Sequence, residues 1–132
     1  MTGKRTYDLA ERTAKFAEEA IGLVKTLPRN AVTLPLISQL VRSATSVGAN
    51  TCEANDAVSR KDFRNKIGIC RKEASETKYW LRMIASAVPA AAARARALWK
   101  EAHELHLIFA ASFTTAGKDV GHRSREPRGG DI

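Results

Sequence analysis

Apolar residues recur along the chain at spacings of three and four, and no stretch alternates apolar with polar as a half-buried strand would. Prolines at 28, 35 and 89 divide this pattern into four segments. In the first, Leu9, Thr13, Phe16, Ala20, Leu23 and Leu27 form a seam suited to helices packed at shallow angles, with Thr6 as the expected N-cap. Thr33, just before Leu34-Pro35, opens a second helix. Its stripe of Ile37, Val41, Ala44, Gly48 and Thr51 is widened by Leu36, Leu40 and Val47, so most of that helix should be buried. Ser59 with Asp62 three residues later resembles a capping box with a shortened acid, and it introduces the clearest repeat: Phe63, Ile67, Cys70, Ala74, Thr77, Leu81 and Ile84. Pro89 suits the first turn of a fourth helix, whose stripe of Ala91, Ala95, Leu98, Ala102, Leu105 and Phe109 fades at Ser112. Four seams predict an all-α, four-helix bundle over residues 1–116. Residues 117–132, GKDVGHRSREPRGGDI, lose apolar positions and gain glycine and charge, which predicts a flexible basic tail.

Composition supports one folded domain: 132 residues, 44% hydrophobic and 27% charged, leave room for a single core and none for separate cofactor and substrate modules. Charge adds more. The net value is +8, and residues 60–89 supply most of it, with eight Lys or Arg against Asp62, Glu73 and Glu76. At about 100° of rotation per residue, Arg60, Arg64, Arg71, Lys78 and Arg82 fall on one flank of the third helix, and Arg64, Arg71 and Lys78 recur every seven residues. Cations spaced about 10 Å apart along a helix can follow a phosphate backbone, because each neutralised phosphate releases condensed counterions. The expected partner is therefore nucleic acid, with Lys61 and Lys72 assisting and contacts made to phosphates rather than base edges. The alternative is a solvated face paired with acids of neighbouring helices.

The opposite flank of the third helix carries Ile69, Glu73, Glu76, Trp80 and Met83, and Ile21 and Val24 widen the apolar arc of the first. Large apolar groups outside the seams need cover, so Ile21, Val24, Ile69, Trp80 and Met83 are expected at an interface between copies. Otherwise Trp80 covers its own core. Gln39, Arg42, Ser46, Asn50 and Glu53 band one side of the second helix, where hydrogen bonds to the third would fix register; Arg42 and Glu53 are too far apart to pair with each other. Cys52 and Cys70 lie on or beside seams and are expected to be reduced, buried thiols. His103 and His106 stand one turn apart without a convergent third ligand, so no metal and no other cofactor is expected. No nucleophile with its base and no glycine-rich phosphate cradle is visible, which predicts a protein that is not an enzyme. Residues 1–12 are charged throughout, and no stretch approaches the length of a membrane span; the expected location is cytoplasmic.

The runs QLVRSATSVGANTCEA, Gln39 to Ala54, and FRNKIGICRKEASETKYWL, Phe63 to Leu81, resemble the small four-helix-bundle proteins encoded within intervening sequences of bacterial 23S ribosomal RNA genes. The resemblance rests on Gln39, Leu40, Arg42, Ala44, Ser46, Ala49, Asn50 and Glu53, then on Phe63, Glu73, Ala74, Glu76, Thr77, Tyr79, Trp80 and Leu81. It covers roughly residues 7–113. Gly48 stands where that family usually has proline, and Ala54 where glycine commonly follows the glutamate. The resemblance implies an antiparallel up-down-up-down bundle, assembly as a homopentamer, and a distant relationship to accessory proteins of diversity-generating retroelements. Those relatives bind nucleic acid and a reverse transcriptase, so a scaffold or accessory subunit for such an enzyme is the alternative function. The family itself has no firmly assigned activity.

Overall fold

The computed structural model describes the backbone of residues 2–125 and the side chains of residues 9–118. Four helices follow one another: α1 (Thr2–Val24), α2 (Thr33–Asn55), α3 (Arg60–Ala87) and α4 (Ala92–Arg125), with a single 3₁₀ turn at Pro89–Ala91 before the last. There is no strand among the described residues. Each helix packs on the next in sequence, and α4 also meets α1, closing a helical bundle in which α3 lies between α2 and α4. No helix is long and apolar enough to cross a membrane among the described residues.

Local chemistry sets the helix ends. Ser59 is extended and its hydroxyl accepts the Asp62 N–H at 3.0 Å, so the expected cap of α3 is in place. α2 does start at Thr33, but the group that takes up its first donors is Asn30, whose side-chain oxygen accepts from the N–H groups of Val32 and Thr33 at 2.9 and 3.0 Å. The Thr33 hydroxyl turns inward instead and donates to the Pro28 carbonyl at 2.6 Å. α1 begins at Thr2, so Thr6 lies inside the helix rather than at its cap, and its side chain is outside the described residues.

The interior is the predicted seam. Phe16, Leu23, Leu40, Val47, Leu81, Ile84, Leu105 and Phe109 are fully enclosed, each contributing about 1.5–3 kcal/mol by burial. Interior hydroxyls find partners: Thr77 donates to the Glu73 carbonyl at 2.7 Å and lies 2.9 Å from the Ser43 hydroxyl. α2 runs unbroken through Gly48, where a Cβ would sit 3.4 Å from the Thr13 hydroxyl, so glycine permits a close approach of α1.

Three expectations are corrected. Val24 is 5% exposed and belongs to the core, because α1 is flanked by both α2 and α4 and its inner face is wider than one seam. Cys52 is exposed: it follows Thr51, which is buried, and one residue rotates a helix by about 100°. Finally, α4 continues past Ala116, the expected end of the bundle, to Arg125. Ala116 is still buried, and a Cβ at Gly117 would meet the Arg64 guanidinium at 2.7 Å, so packing outlasts the apolar stripe. Residues 126–132, the rest of the expected tail, lie outside the described residues.

Candidate nucleic-acid interface

The seven-residue row Arg64, Arg71 and Lys78 on α3 faces a second seven-residue row on α4, Trp99, His106 and Phe113. The Arg64 guanidinium lies 3.7 Å from the Phe113 ring centroid, and its Nε donates to the Phe113 carbonyl at 3.2 Å. Arg71 approaches the same ring at 4.5 Å, and its carbonyl oxygen lies 3.3 Å from His106 Nδ1. Lys78 Nζ is 3.1 Å from His103 Nδ1 and 5.4 Å from the Trp99 ring centroid. Trp99 and His103 stack at 5.2 Å with 15° between their planes. Phe113 can enter the seam because Gly68 lies behind it, where a Cβ would come within 2.9 Å of the ring.

Three other cations in the chain are paired with acids. Arg12 is held by Glu101 at 2.6 Å and Glu104 at 2.8 Å, and the Glu101 hydrogen bond foremost raises its already high pKa. Lys66 pairs with Glu53 at 2.7 Å, which likewise raises its pKa. Arg42 bridges Glu73 and Glu76. None of the described carboxylates forms an ion pair with Arg64, Arg71 or Lys78. Each half-buried cation lies against an aromatic ring, a contact worth about 0.5–2 kcal/mol, and none is paired with a described acid. Arg60, Lys61, Lys72 and Arg82 are exposed on the same helix.

The predicted polar band joins α2 to α3. Arg42 donates from Nη1 to Glu73 at 3.3 Å, from Nη2 to Glu76, and from Nε to Gln39 at 3.3 Å. Trp80 Nε1 donates to Glu76 at 3.3 Å, and Asn50 turns back onto Ser46 at 2.9 Å. Arg42 and Glu53 thus find separate partners on α3, which fixes the register of that helix pair. Of the expected interface residues, Ile21 and Ile69 are more than a third exposed and Met83 is half-buried. Trp80 packs on its own core with its edge toward Tyr79 at 5.0 Å.

Charge patterning found the α3 row, but Trp99, His103, His106 and Phe113 were missed as its supports. Their signal was present as the spacing of Trp99, His106 and Phe113, equal to that of the cations opposite. No group of three or more His, Cys, Asp and Glu capable of holding a metal occurs among the described residues.

The family model of the 23S rRNA-intervening sequence protein matches residues 5–111. A crystal structure of a protein of unknown function, from the S23 ribosomal protein family of Bacteroides thetaiotaomicron, is similar to this chain with a TM-score of 0.74. The two are 29% identical over 83% of this chain and 97% of that one. No curated protein matches.

Proposed function

The chain belongs to the 23S rRNA-intervening sequence protein family, and we propose that it is a non-enzymatic, cytoplasmic helical bundle that binds structured RNA or DNA along α3. The observation that carries this is the row of Arg64, Arg71 and Lys78, held by Phe113, His103 and Trp99 and paired with no described carboxylate. A solvated face would gain most by salt-bridging its neighbours, as Arg12, Arg42 and Lys66 do. Cations fixed on aromatic rings keep their full charge for an incoming phosphate. Arg60, Lys61, Lys72 and Arg82 extend the field along the helix.

The same reading takes the bundle as up-down-up-down and the protein as a homopentamer. Pairs such as Glu53 with Lys66 and Arg42 with Glu73, or Arg64 with Phe113 and Lys78 with His103, run in opposite directions along their helices, which supports the antiparallel order. Exposed Ile21 and Ile69 support self-association.

The test replaces Arg64, Arg71 and Lys78 together by Glu, and separately by Gln, and measures the anisotropy of labelled structured RNA and duplex DNA over a range of salt. Binding should be lost in the Glu variant. In the Gln variant the slope of log affinity against log salt should shrink by about 2.7 on a duplex, at about 0.9 per phosphate. Unchanged binding in a folded variant refutes the assignment. A second reading, a scaffold or accessory subunit for a nucleic-acid enzyme such as a reverse transcriptase, is favoured by Leu107 and Ile108, two large apolar residues exposed on α4. Salt-insensitive capture of such an enzyme, without affinity for nucleic acid, would establish it instead.

A further inference from the structure

Beyond Lys78 the basic row gives way to a groove of about 240 Å³ between the end of α3 and the start of α4. Leu81, Ala85 and Ala95 make it apolar, Arg82 and Arg96 supply charge, and Trp99 contributes its indole. The volume is just below the roughly 300–1,000 Å³ of clefts that enclose drug-sized ligands, which suits one ring system. Trp99 is 36% exposed, and its partners lie one turn away on either side: His103 stacks on the ring, while Ala95 lines the groove. Both arginines are exposed, and neither forms an ion pair with a described carboxylate.

We infer that this groove receives one unpaired base of a nucleic-acid strand, stacked against Trp99, with its phosphate met by Arg82 and Arg96. The inference rests on the nucleic-acid reading above and deepens it, since it adds a single-stranded element at one end of a row that follows phosphates. Three features select this occupant. An apolar groove beside an indole suits a base, because every base presents a π-face. Two guanidinium groups at its rim suit a phosphate, which their planar fork can meet with paired hydrogen bonds. Lys78 ties the groove to the rest of the row, since its ammonium lies 5.4 Å from the Trp99 ring. A base paired within a duplex has both faces stacked and could not enter.

The experiment uses the full chain carrying Trp80→Phe, which keeps a ring against the core and leaves Trp99 as the one remaining tryptophan of two. Its fluorescence is titrated with an unstructured oligouridylate and with a matched duplex, while anisotropy reports total binding of each. The oligouridylate should quench Trp99 and the duplex should not. Arg96→Glu, in the otherwise unaltered chain, should weaken oligouridylate binding several-fold more than duplex binding. Trp99→Leu should weaken the single strand by about 5- to 150-fold, the range for loss of one stacked base. Oligouridylate that binds by anisotropy without quenching Trp99, or that binds Arg96→Glu undiminished, overturns the inference and leaves the phosphate-following row standing. Equal quenching by free uridine monophosphate at matched concentration would also overturn it, by making the occupant a free nucleotide. If neither strand nor duplex binds, the nucleic-acid reading itself fails and takes this inference with it.

Discussion

Replacing Gly68 by alanine separates helix propensity from packing at the centre of the candidate interface. Gly68 lies inside α3, where alanine should gain about 1 kcal/mol from propensity alone. The added Cβ would stand 2.9 Å from Cε1 and 3.4 Å from Cδ1 of Phe113. That ring cannot swing away freely, because Arg64 lies 3.7 Å and Arg71 4.5 Å from its centroid. Overpacking of this kind costs about 1–3 kcal/mol, so the net change should be a loss of about 0–2 kcal/mol. Gly22 in α1 is the control: a Cβ there meets only the Arg94 guanidinium at 3.7 Å, an ordinary contact, and Gly22→Ala should stabilise by about 1 kcal/mol. Urea unfolding followed by far-UV circular dichroism would measure both, with unchanged m-values showing that only stability has moved. A gap of about 1–3 kcal/mol between the variants is expected. If both stabilise equally, Phe113 is not seated against Gly68, and the clamp of two arginines on its ring is refuted with it.

Gly117→Ala should leave stability nearly unchanged, since a propensity gain of about 1 kcal/mol opposes displacement of the flexible Arg64 head from Phe113, and a crosspeak shift of the Phe113 ring in NMR would register that displacement. Arg42→Met should destabilise by about 1–2 kcal/mol in urea unfolding, between the values for exposed and buried ion pairs, because it leaves the mostly covered Glu73 beside Glu76 without their shared cation. Ellman's reagent should titrate one thiol per native chain, the exposed Cys52, and two in urea. Burial, partly opposed by the Thr51 hydrogen bond, raises the Cys70 thiol above its ordinary 9.0, so the folded chain holds that proton more tightly than the unfolded one. The stability this contributes is complete below about pH 9 and is lost as pH rises toward the folded value, and Cys70→Ala should flatten that decline.

The four helices were legible because their seams repeat in threes and fours and bury as written: Phe16, Ala20 and Leu23, or Cys70, Ala74 and Thr77. Caps were legible only where the capping side chain adjoins the helix. Ser59 was found, whereas Asn30 lies three residues ahead of α2 and reaches its donors through a turn that periodicity does not register. Val24 was misplaced for a related reason. A wheel gives angles but not the width of the face a neighbour covers, and α1 is covered from two sides. The end of α4 was placed too early because near Gly117 the helix lies against the head of Arg64, which an apolar stripe does not count.

The candidate interface was half legible, and the missing half is a matter of register. That Arg64, Arg71 and Lys78 share a face follows from spacing within one helix, but what stands opposite them depends on how far α4 slides along α3. Nothing in either helix alone sets that offset. It is set where shapes fit, with Phe113 against the bare backbone of Gly68, and this brings His106 to the Arg71 carbonyl and His103 to Lys78. Once the register is known, the α4 row becomes a rail of rings beside three cations. The distinction matters physically. Acids in those positions would hold the cations in place and cancel their field, whereas rings hold them in place and leave the field intact. Arg64, Arg71 and Lys78 follow the second arrangement, whereas Arg12, Arg42 and Lys66 follow the first.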